Sequence, residues 1–263
     1  MDVIGRHVRR LPVLDERWTP AAYPRADLER ALVEGAVAGT ASHPLDNVRG
    51  NALLLLEGDP DKQFGLSGLP DGMTLERILD LVADAAGAPI DRDARYGAVD
   101  IRPGAIVDAA RAAGERLAKA TNRGETVALA TGHPTGLAHL YHQVASLLTE
   151  HGADVVTLGR RVRWREPGLD HDWAIEHWDG VAVLTDTSEP RHTHSPHAMH
   201  RMLAEGRPDL VFADHGFAGA AIEAGIDTIS IADVNDPGLI VARAHGRTEH
   251  VLVFDDNVGP ADY

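Results

Sequence analysis

The sequence predicts an α/β fold, a three-layer αβα sandwich built on a doubly wound, mostly parallel sheet. After residue 125, short runs of strand length alternate with segments of helix length, and these runs are 127–130, 155–158, 181–184, 210–213, 228–231 and 251–254. The runs are mostly apolar, which is typical of strands that are buried on both faces of a parallel sheet. Right-handed crossover connections would then place helices on both faces of that sheet.

The N-terminal part of the chain is predicted to be an irregular arm followed by helices. The arm, residues 1–24, contains three prolines and shows little periodicity. Residues 25–57 predict two helices with a break near residues 39–44. A loop rich in glycine and proline follows at residues 58–72.

Two further helices are indicated by the residues that begin them. Thr74 is a favoured N-cap for a helix that ends near Ala86. Pro103 suits the first position of a helix that ends near Asn122, because proline lacks the N–H that this position leaves unpaired.

We expect a single domain over residues 1–263. In this domain the mainly helical residues 25–122 pack on, or lid, the parallel-sheet core at residues 125–258. A chain of this length can bury a sizeable core, and α/β folds of this size often form one domain. The composition, with 44% hydrophobic and 25% charged residues, is that of an ordinary globular protein.

The charge and the residue usage exclude several classes of partner and chemistry. A formal net charge of −15 repels nucleic acid and anionic lipid, so we expect neither partner. The sequence has no cysteine, which excludes disulfides, cysteine nucleophiles and thiolate zinc sites. The N-terminus lacks an apolar signal segment, and the longest apolar run, residues 52–56, is far too short to span a bilayer. These features predict a cytoplasmic protein.

Polar side chains follow most of the predicted strands at the point where each strand ends. Since parallel strands deliver their carboxyl ends to one edge of a sheet, we expect these segments to converge in space. The acidic and amide candidates for a metal site are Asp233, Asn235, Asp255 and Asp256, with Asp214 and Asp236 in the same cluster. Oxygen ligands of this kind favour Mg²⁺ or Mn²⁺, with Ca²⁺ or Zn²⁺ as alternatives. Taken singly, each residue also suits a helix cap or a turn.

Histidines and a glycine-containing turn are predicted at the same edge. His192 and His194 are two residues apart, a spacing that can present both imidazoles to one ligand, although His197 and His200 also fit a histidine-rich surface loop. His215 can equally be a hydrogen-bonded turn residue. The turn after the first of these strands supplies candidate phosphate-binding residues, namely Thr131, Gly132, Thr135 and Gly136, with His133 facing the crevice.

Several of these segments together resemble an actinobacterial family of phosphatases. The matching segments cover most of the chain, from about residue 25 to residue 258, in collinear order. They are ATGHPTGL (130–137), HTHS (192–195), ADHGFAG (213–219), IADVNDPGL (231–239) and VFDDNV (253–258), with AGTASHPLDNVRGN (38–51) and RYGAVDIRPGAIVDA (95–109) upstream. The sequence departs from that family's pattern at residues 45–47. The resemblance implies a phosphatase.

The sequence therefore predicts a metal-assisted phosphatase that hydrolyses a small phosphomonoester at this edge. His194 and His133 are the candidate proton donors, and Asp214 is a further candidate catalytic residue. A phosphosugar or nucleotide isomerase or lyase would use the same metal site, and a non-catalytic phosphate-binding protein is a third possibility. A haloacid-dehalogenase phosphatase is disfavoured, because the segments at residues 186–188 and 255–257 do not fit its nucleophile motif. The arginine-rich run at 160–165 favours an edge strand or hairpin over a substrate clamp. The oligomeric state stays open.

Overall fold

Ten strands and nine helices make up the computed structural model, which describes residues 18–166, 169–260 and 262–263. The strands are β1 (Gly39–Thr40), β2 (Asp100–Ile101), β3 (Thr126–Thr131), β4 (Asp154–Val155), β5 (Arg163–Trp164), β6 (Trp173–Trp178), β7 (Val181–Thr185), β8 (Leu210–Asp214), β9 (Asp227–Ala232) and β10 (His250–Val253). The helices are α1 (Arg25–Glu34), α2 (Leu45–Glu57), α3 (Pro60–Gln63), α4 (Leu75–Ala86), α5 (Pro103–Arg123), α6 (Pro134–Glu150), α7 (His197–Glu205), α8 (His215–Glu223) and α9 (Pro237–Ala244).

The main sheet is mixed but largely parallel. Its strand order is β10-β9-β8-β3-β7-β6-β5, with β4 paired to the start of β3. The pairs from β10 to β7 are parallel, whereas β6 and β5 continue the sheet in antiparallel orientation. Strands β7 and β8 are buried at every residue, as expected for strands covered on both faces. The predicted α/β sandwich, with a largely parallel sheet flanked by helices, is confirmed.

The N-terminal helices lie against the half of the sheet that ends in β10. α5 packs on β10 and α1 packs on α5, while α2 and α4 pack on α9. The predicted helix bounds are close to those observed, and the Thr74 hydroxyl caps α4 by accepting a hydrogen bond from the Arg77 amide at 3.3 Å. The helical segment thus packs on the sheet layers, as the sequence predicts. The single-domain assignment stays a prediction.

In the main sheet two strands differ from the sequence-based expectation, since β6 was not predicted and β4 is shorter than predicted. The short strands β1 and β2, which pair with each other, were not predicted either. The run predicted as a strand at 155–158 contributes only its first residue to β4, and Asp154 supplies the other. β6 was missed because polar residues interrupt its apolar pattern at Glu176 and His177. A hairpin signal was nevertheless present: Asp179 and Gly180 form the two-residue turn between β6 and β7, and both have positive φ, at 47° and 93°. Asp-Gly in such a turn is the preferred sequence of a type I′ hairpin.

The arginine-rich run ends in the last strand of the sheet. Arg163 lies in β5, next to β6, and Arg165 pairs with Asp172 at 2.6 Å between Nε and Oδ1. This arrangement agrees with the edge-strand interpretation of the run.

The predicted N-terminal arm lies mostly outside the described residues, which begin at Trp18. Residues 18–24 have neither helix nor strand. Within the described part of the chain, every helix is too short or too polar to cross a membrane.

The loop that contains α3 passes very close to two helices of the sheet layer. Phe64, which follows α3, is completely buried. A Cβ atom added at Gly219 in α8 would lie 2.1 Å from the Phe64 carbonyl oxygen, and one at Gly238 in α9 would lie 2.6 Å from the Lys62 carbonyl oxygen. Only glycine fits at these two positions, so the loop packs closely against the middle of α8 and the start of α9.

We expect Gly219→Ala to lower the free energy of unfolding by about 2 kcal/mol, because the new methyl group overlaps the Phe64 backbone. Gly50→Ala in α2 is a matched control, since no atom lies within 4 Å of its Cβ position. That substitution should raise the free energy of unfolding by up to about 1 kcal/mol through helix propensity. Urea denaturation of both variants checks the prediction, and an equal stabilisation by both would contradict it.

Candidate active site

The carboxyl ends of β3, β8, β9 and β10 meet at one edge of the sheet. The residues that follow these strands there are His133, His215, Asp233 and Asp255, and loops from outside the sheet add further side chains. This edge is where ligands bind in parallel α/β sheets. The convergence that the sequence predicts is therefore present in the structure.

Asp214 ties the ends of β3 and β8 together. Its fully buried carboxylate accepts hydrogen bonds from the Thr131 hydroxyl and from the Gly132 amide, both at 2.6 Å. Burial raises the pKa of Asp214, but the neighbouring His215 and these hydrogen bonds outweigh burial and lower the pKa. The carboxylate is thus ionised and its oxygens are engaged by the protein.

The glycines at this edge admit a loop. Residues 192–195 cross the ends of β3 and β8, and the Thr193 amide donates to the Gly132 carbonyl at 2.8 Å. A Cβ at Gly132 would lie 2.4 Å from the Thr193 carbonyl oxygen, and one at Gly216 would lie 2.3 Å from that of His194. Both glycines are therefore needed for loop packing, whereas the sequence pattern indicated only phosphate approach for Gly132.

Three histidines form the first group of facing ligand atoms. His192, His194 and His215 each offer a ring nitrogen, and these atoms lie within 4.8 Å of one another. The Nε2 atoms of His192 and His194 are 3.0 Å apart. The Nδ1 atom of His194 is 2.9 Å from Oδ2 of Asp61 in α3. Asp61 therefore holds this imidazole with its Nε2 atom toward the other two histidines.

The environment keeps two of these imidazoles neutral. Burial, with the nearby imidazoles of His215, His133 and His194, lowers the pKa of His192 to about 4. Burial and His215 likewise lower the pKa of His194, although Asp236 and Asp61 oppose the shift. A neutral imidazole is the form that binds metal ions.

The second group combines His215 with two carboxylates. The Nε2 atom of His215 lies 3.4 Å from Oδ2 of Asp236 and 3.7 Å from Oδ2 of Asp256. Burial alone lowers the pKa of His215, but Asp236 and Asp214 raise it well above its usual value. His215 also has a φ of 43°, a left-handed conformation that is rare for this residue and turns β8 sharply into α8.

The third group joins a residue from the N-terminal part of the chain with two residues from its C-terminal part. His43 Nδ1 is 2.7 Å from Oδ2 of Asp233, and these residues with Asp255 offer ligand atoms within 4.8 Å of one another. Burial raises the pKa of Asp233, and His43 opposes this shift. Asp255 accepts hydrogen bonds from the Ser42 amide at 2.6 Å and the Ser42 hydroxyl at 2.8 Å.

Some of the predicted site residues lie elsewhere or have other contacts. Asn235 follows Asp233 in a turn rather than an extended segment, and its side-chain amide donates to Asn47 at 3.3 Å. Thr135 is exposed, and Gly136 packs against the His133 ring.

His133 sits at the start of α6 and belongs to none of the three groups among the described residues. Its Nδ1 atom is 3.5 Å from Oδ2 of Asp256, and its ring is 4.7 Å from that of His192. This Nδ1 atom is buried, without a hydrogen-bond partner in the part of the chain that the structure describes.

Two site residues, His43 and Asp61, were not predicted from the sequence. His43 lies in the segment ASHPLDN, which entered only as part of the resemblance, and a polar residue before proline carries no specific signal. Asp61 lies in a loop that reads as a glycine- and proline-rich connection. Neither residue follows a strand of the main sheet, so the pattern of polar strand ends does not include them.

Comparisons with known proteins identify the family of the chain. A family model described as Phosphatase matches residues 23–263. The chain is 33% identical over 246 residues to Phosphatase SCO2771 of Streptomyces coelicolor, and the alignment covers 91% of each chain. No solved structure matches the chain. The family match spans most of the sequence, and we conclude that the chain belongs to the Phosphatase family.

Proposed function

We propose that this phosphatase hydrolyses a small phosphomonoester with the help of divalent metal ions held at the sheet edge. The observation that carries the proposal is the set of three groups of facing ligand atoms, two of which share His215. Membership of the Phosphatase family supports the reaction class. A phosphorylated substrate is anionic, so on a chain with a formal net charge of −15 it needs a local cation, which bound metal ions would supply.

The donor set fits metal ions. Asp233, Asp236, Asp255 and Asp256 are nearly fully buried, and like charges this close repel one another unless a cation neutralises them. The neutral imidazoles of His192 and His194 are in the ligand form, whereas His215, whose pKa Asp236 and Asp214 raise, would release its proton when a cation binds beside these carboxylates. The ligands in this proposal are His43, Asp233 and Asp255 in one group, and His215, Asp236 and Asp256 with His192 and His194 in the other two.

The histidines change the expected metal. Carboxylate and amide oxygens alone favour Mg²⁺, whereas a mixture of imidazole and carboxylate suits Mn²⁺, Zn²⁺ or iron better. We therefore favour Mn²⁺ or Zn²⁺ over Mg²⁺. When bound, such ions polarise a phosphoryl oxygen and make water a better nucleophile at neutral pH.

The start of α6 is the proposed seat for the phosphate. The amides of Gly132 and His133 are already used, by Asp214 and by the Thr131 hydroxyl. Thr135 and Gly136 lie in the first turn of α6, where backbone amides have no partner within the helix. These two amides and the positive end of the helix dipole would hold a phosphate oxygen. Thr131 and Asp214 then act as positioning residues that fix the turn.

His133 is the proposed proton donor to the leaving oxygen. It lies at the same helix start as the phosphate seat, and it is not a member of the three ligand groups within the described chain. His194 is less suited to this role, because Asp61 occupies its Nδ1 and its Nε2 faces His192. Asp61 is instead a positioning residue, like the carboxylates that orient metal-binding histidines in other proteins.

Experiment must separate the phosphatase from two alternatives, and the structure disfavours a third. An isomerase or lyase acting on a phosphosugar or nucleotide would use the same ligand groups, and a sensor would bind phosphate without turnover. A haloacid-dehalogenase mechanism through Asp186 is disfavoured, since its carboxylate accepts hydrogen bonds from Ser188 and Glu189 and pairs with Arg191. The cytoplasmic location stays a prediction.

We expect chelation to abolish phosphate release and added Mn²⁺ or Zn²⁺ to restore it. Asp233→Asn should lower metal-dependent release by about 100-fold or more, because the loss of an outer partner of a ligand alone typically costs 10- to 100-fold. Phosphate release from a panel of phosphomonoesters and metal content by mass spectrometry are the measurements. Asp84→Asn, an exposed carboxylate in α4, is the matched control and should behave like the native protein.

Metal binding without phosphate release from any ester would favour the isomerase, lyase or sensor. The absence of both would mean that the strand-end carboxylates are caps and turn residues.

His133→Asn should lower kcat for alkyl phosphates by about 100-fold or more, the usual contribution of a general acid. Hydrolysis of dinitrophenyl phosphate should fall much less, because its leaving group departs without a proton. His139→Asn, an exposed histidine on the same helix, is the control. Steady-state kinetics on both substrates test this role. Equal losses on both, together with a lower metal content, would instead make His133 a metal ligand.

A further inference from the structure

A cavity lies beside the histidine cluster, along strands β5, β6 and β7. Its volume is about 170 Å³, and it is open to solvent on one side. His192 and Ser195, from the loop that crosses the strand ends, line the cavity on the side of the proposed active site. This volume is below the roughly 300 to 1,000 Å³ of sites that enclose a whole drug-sized ligand, so the cavity has room for a ring system rather than for an entire substrate. A ligand in the cavity would therefore lie next to the histidine cluster.

Two tryptophans line this cavity. Trp164 in β5 lies directly opposite Trp173 in β6 in the antiparallel register, so their side chains project from the same face of the sheet. The guanidinium of Arg201 lies 4.4 Å from the centre of the Trp164 ring. His171 meets the Trp173 ring edge to face, with ring centres 4.6 Å apart. These contacts fix two flat, partly exposed rings at the cavity.

The charge of the cavity wall is negative. Glu166 lines the cavity, and its Oε1 atom is 3.4 Å from Nδ1 of His197 and 3.5 Å from Nε1 of Trp164. The Glu166 side chain is 41% exposed and can accept further hydrogen bonds. A carboxylate here repels a second phosphate or a carboxylate on the ligand, and it favours an uncharged group with N–H donors.

We propose that the cavity binds the ring of the substrate's leaving group, and that this ring is a heteroaromatic base with N–H donors, as in a nucleoside monophosphate. Proteins commonly bind nucleotide bases by stacking them on aromatic side chains, and this stacking accepts any of the bases. A carboxylate accepts a hydrogen bond from an exocyclic amine, as Glu and Asp do with cytosine. The inference rests on the proposed phosphatase function, since it takes the neighbouring histidine cluster as the place of the phosphate.

The test compares two substrates in the metal-loaded protein. Trp173→Ala should lower kcat/KM for adenosine 5′-monophosphate by about 10-fold or more, the size typical of losing one base–aromatic stack. The value for glycerol phosphate, which has no ring, should not change. Trp178→Ala on the same strand is the matched control, because Trp178 is 39% exposed and does not line the cavity.

A second measurement keeps the inference testable if Trp173→Ala fails to fold. Adenosine, which carries no phosphate, should quench the tryptophan fluorescence of the native chain, and Glu166→Gln should weaken this binding. Quenching without phosphate release from either ester would support the cavity assignment and contradict the phosphatase proposal. The cavity assignment is wrong if adenosine does not bind or if Trp173→Ala affects both esters equally. Glucose 1-phosphate, whose ring is a sugar, separates a base from a sugar. The assignment to a base is also wrong if Trp173→Ala lowers kcat/KM for glucose 1-phosphate as strongly as for the nucleotide.

Discussion

The burial of five carboxylates at one sheet edge is the constraint on which the site depends. Asp214, Asp233, Asp236, Asp255 and Asp256 are each no more than 5% exposed, and a buried charge without a partner is very unfavourable. Three of these carboxylates have hydrogen-bond partners of their own. The partners are donors at the strand ends for Asp214, His43 for Asp233 and Ser42 for Asp255. Asp236 and Asp256 both face the buried imidazole of His215. Divalent cations would complete the neutralisation.

The side chains that complete this edge come largely from outside the sheet. Ser42 and His43 precede α2, Asp61 lies in α3, and the 192–195 loop crosses the ends of two strands. Such segments can approach closely only where a side chain is missing. Gly132 and Gly216 leave room for residues 192–195, and Gly219 and Gly238 leave room for the loop that contains α3. The close backbone packing at these glycines therefore also fixes the positions of the candidate ligands.

Local patterns in the sequence predicted most of the sheet and part of the candidate site. The apolar runs predicted β3, β7, β8, β9 and β10, and the residues after four of these strands predicted where His133, Asp214, Asp233 and Asp255 converge. Features that depend on distant packing could not be predicted. Asp61 contacts His194 across 133 positions, and nothing near Asp61 in the sequence indicates that its loop folds back. The use of the Gly132 amide by Asp214 was hidden for the same reason, since it depends on the neighbouring strand. The Asp179–Gly180 turn, by contrast, was a local signal that was overlooked.

The hydrogen bonds between Ser42 and Asp255 span 213 positions, and that between His43 and Asp233 spans 190. During synthesis, Ser42 and His43 are therefore made long before the carboxylates that they contact. Contacts so distant in sequence form late, because the intervening chain must first be ordered. A growing or truncated chain that ends before Asp255 lacks this ligand group. The proposed ligand group of His43, Asp233 and Asp255 can therefore assemble only after residues 233 and 255 have been synthesised.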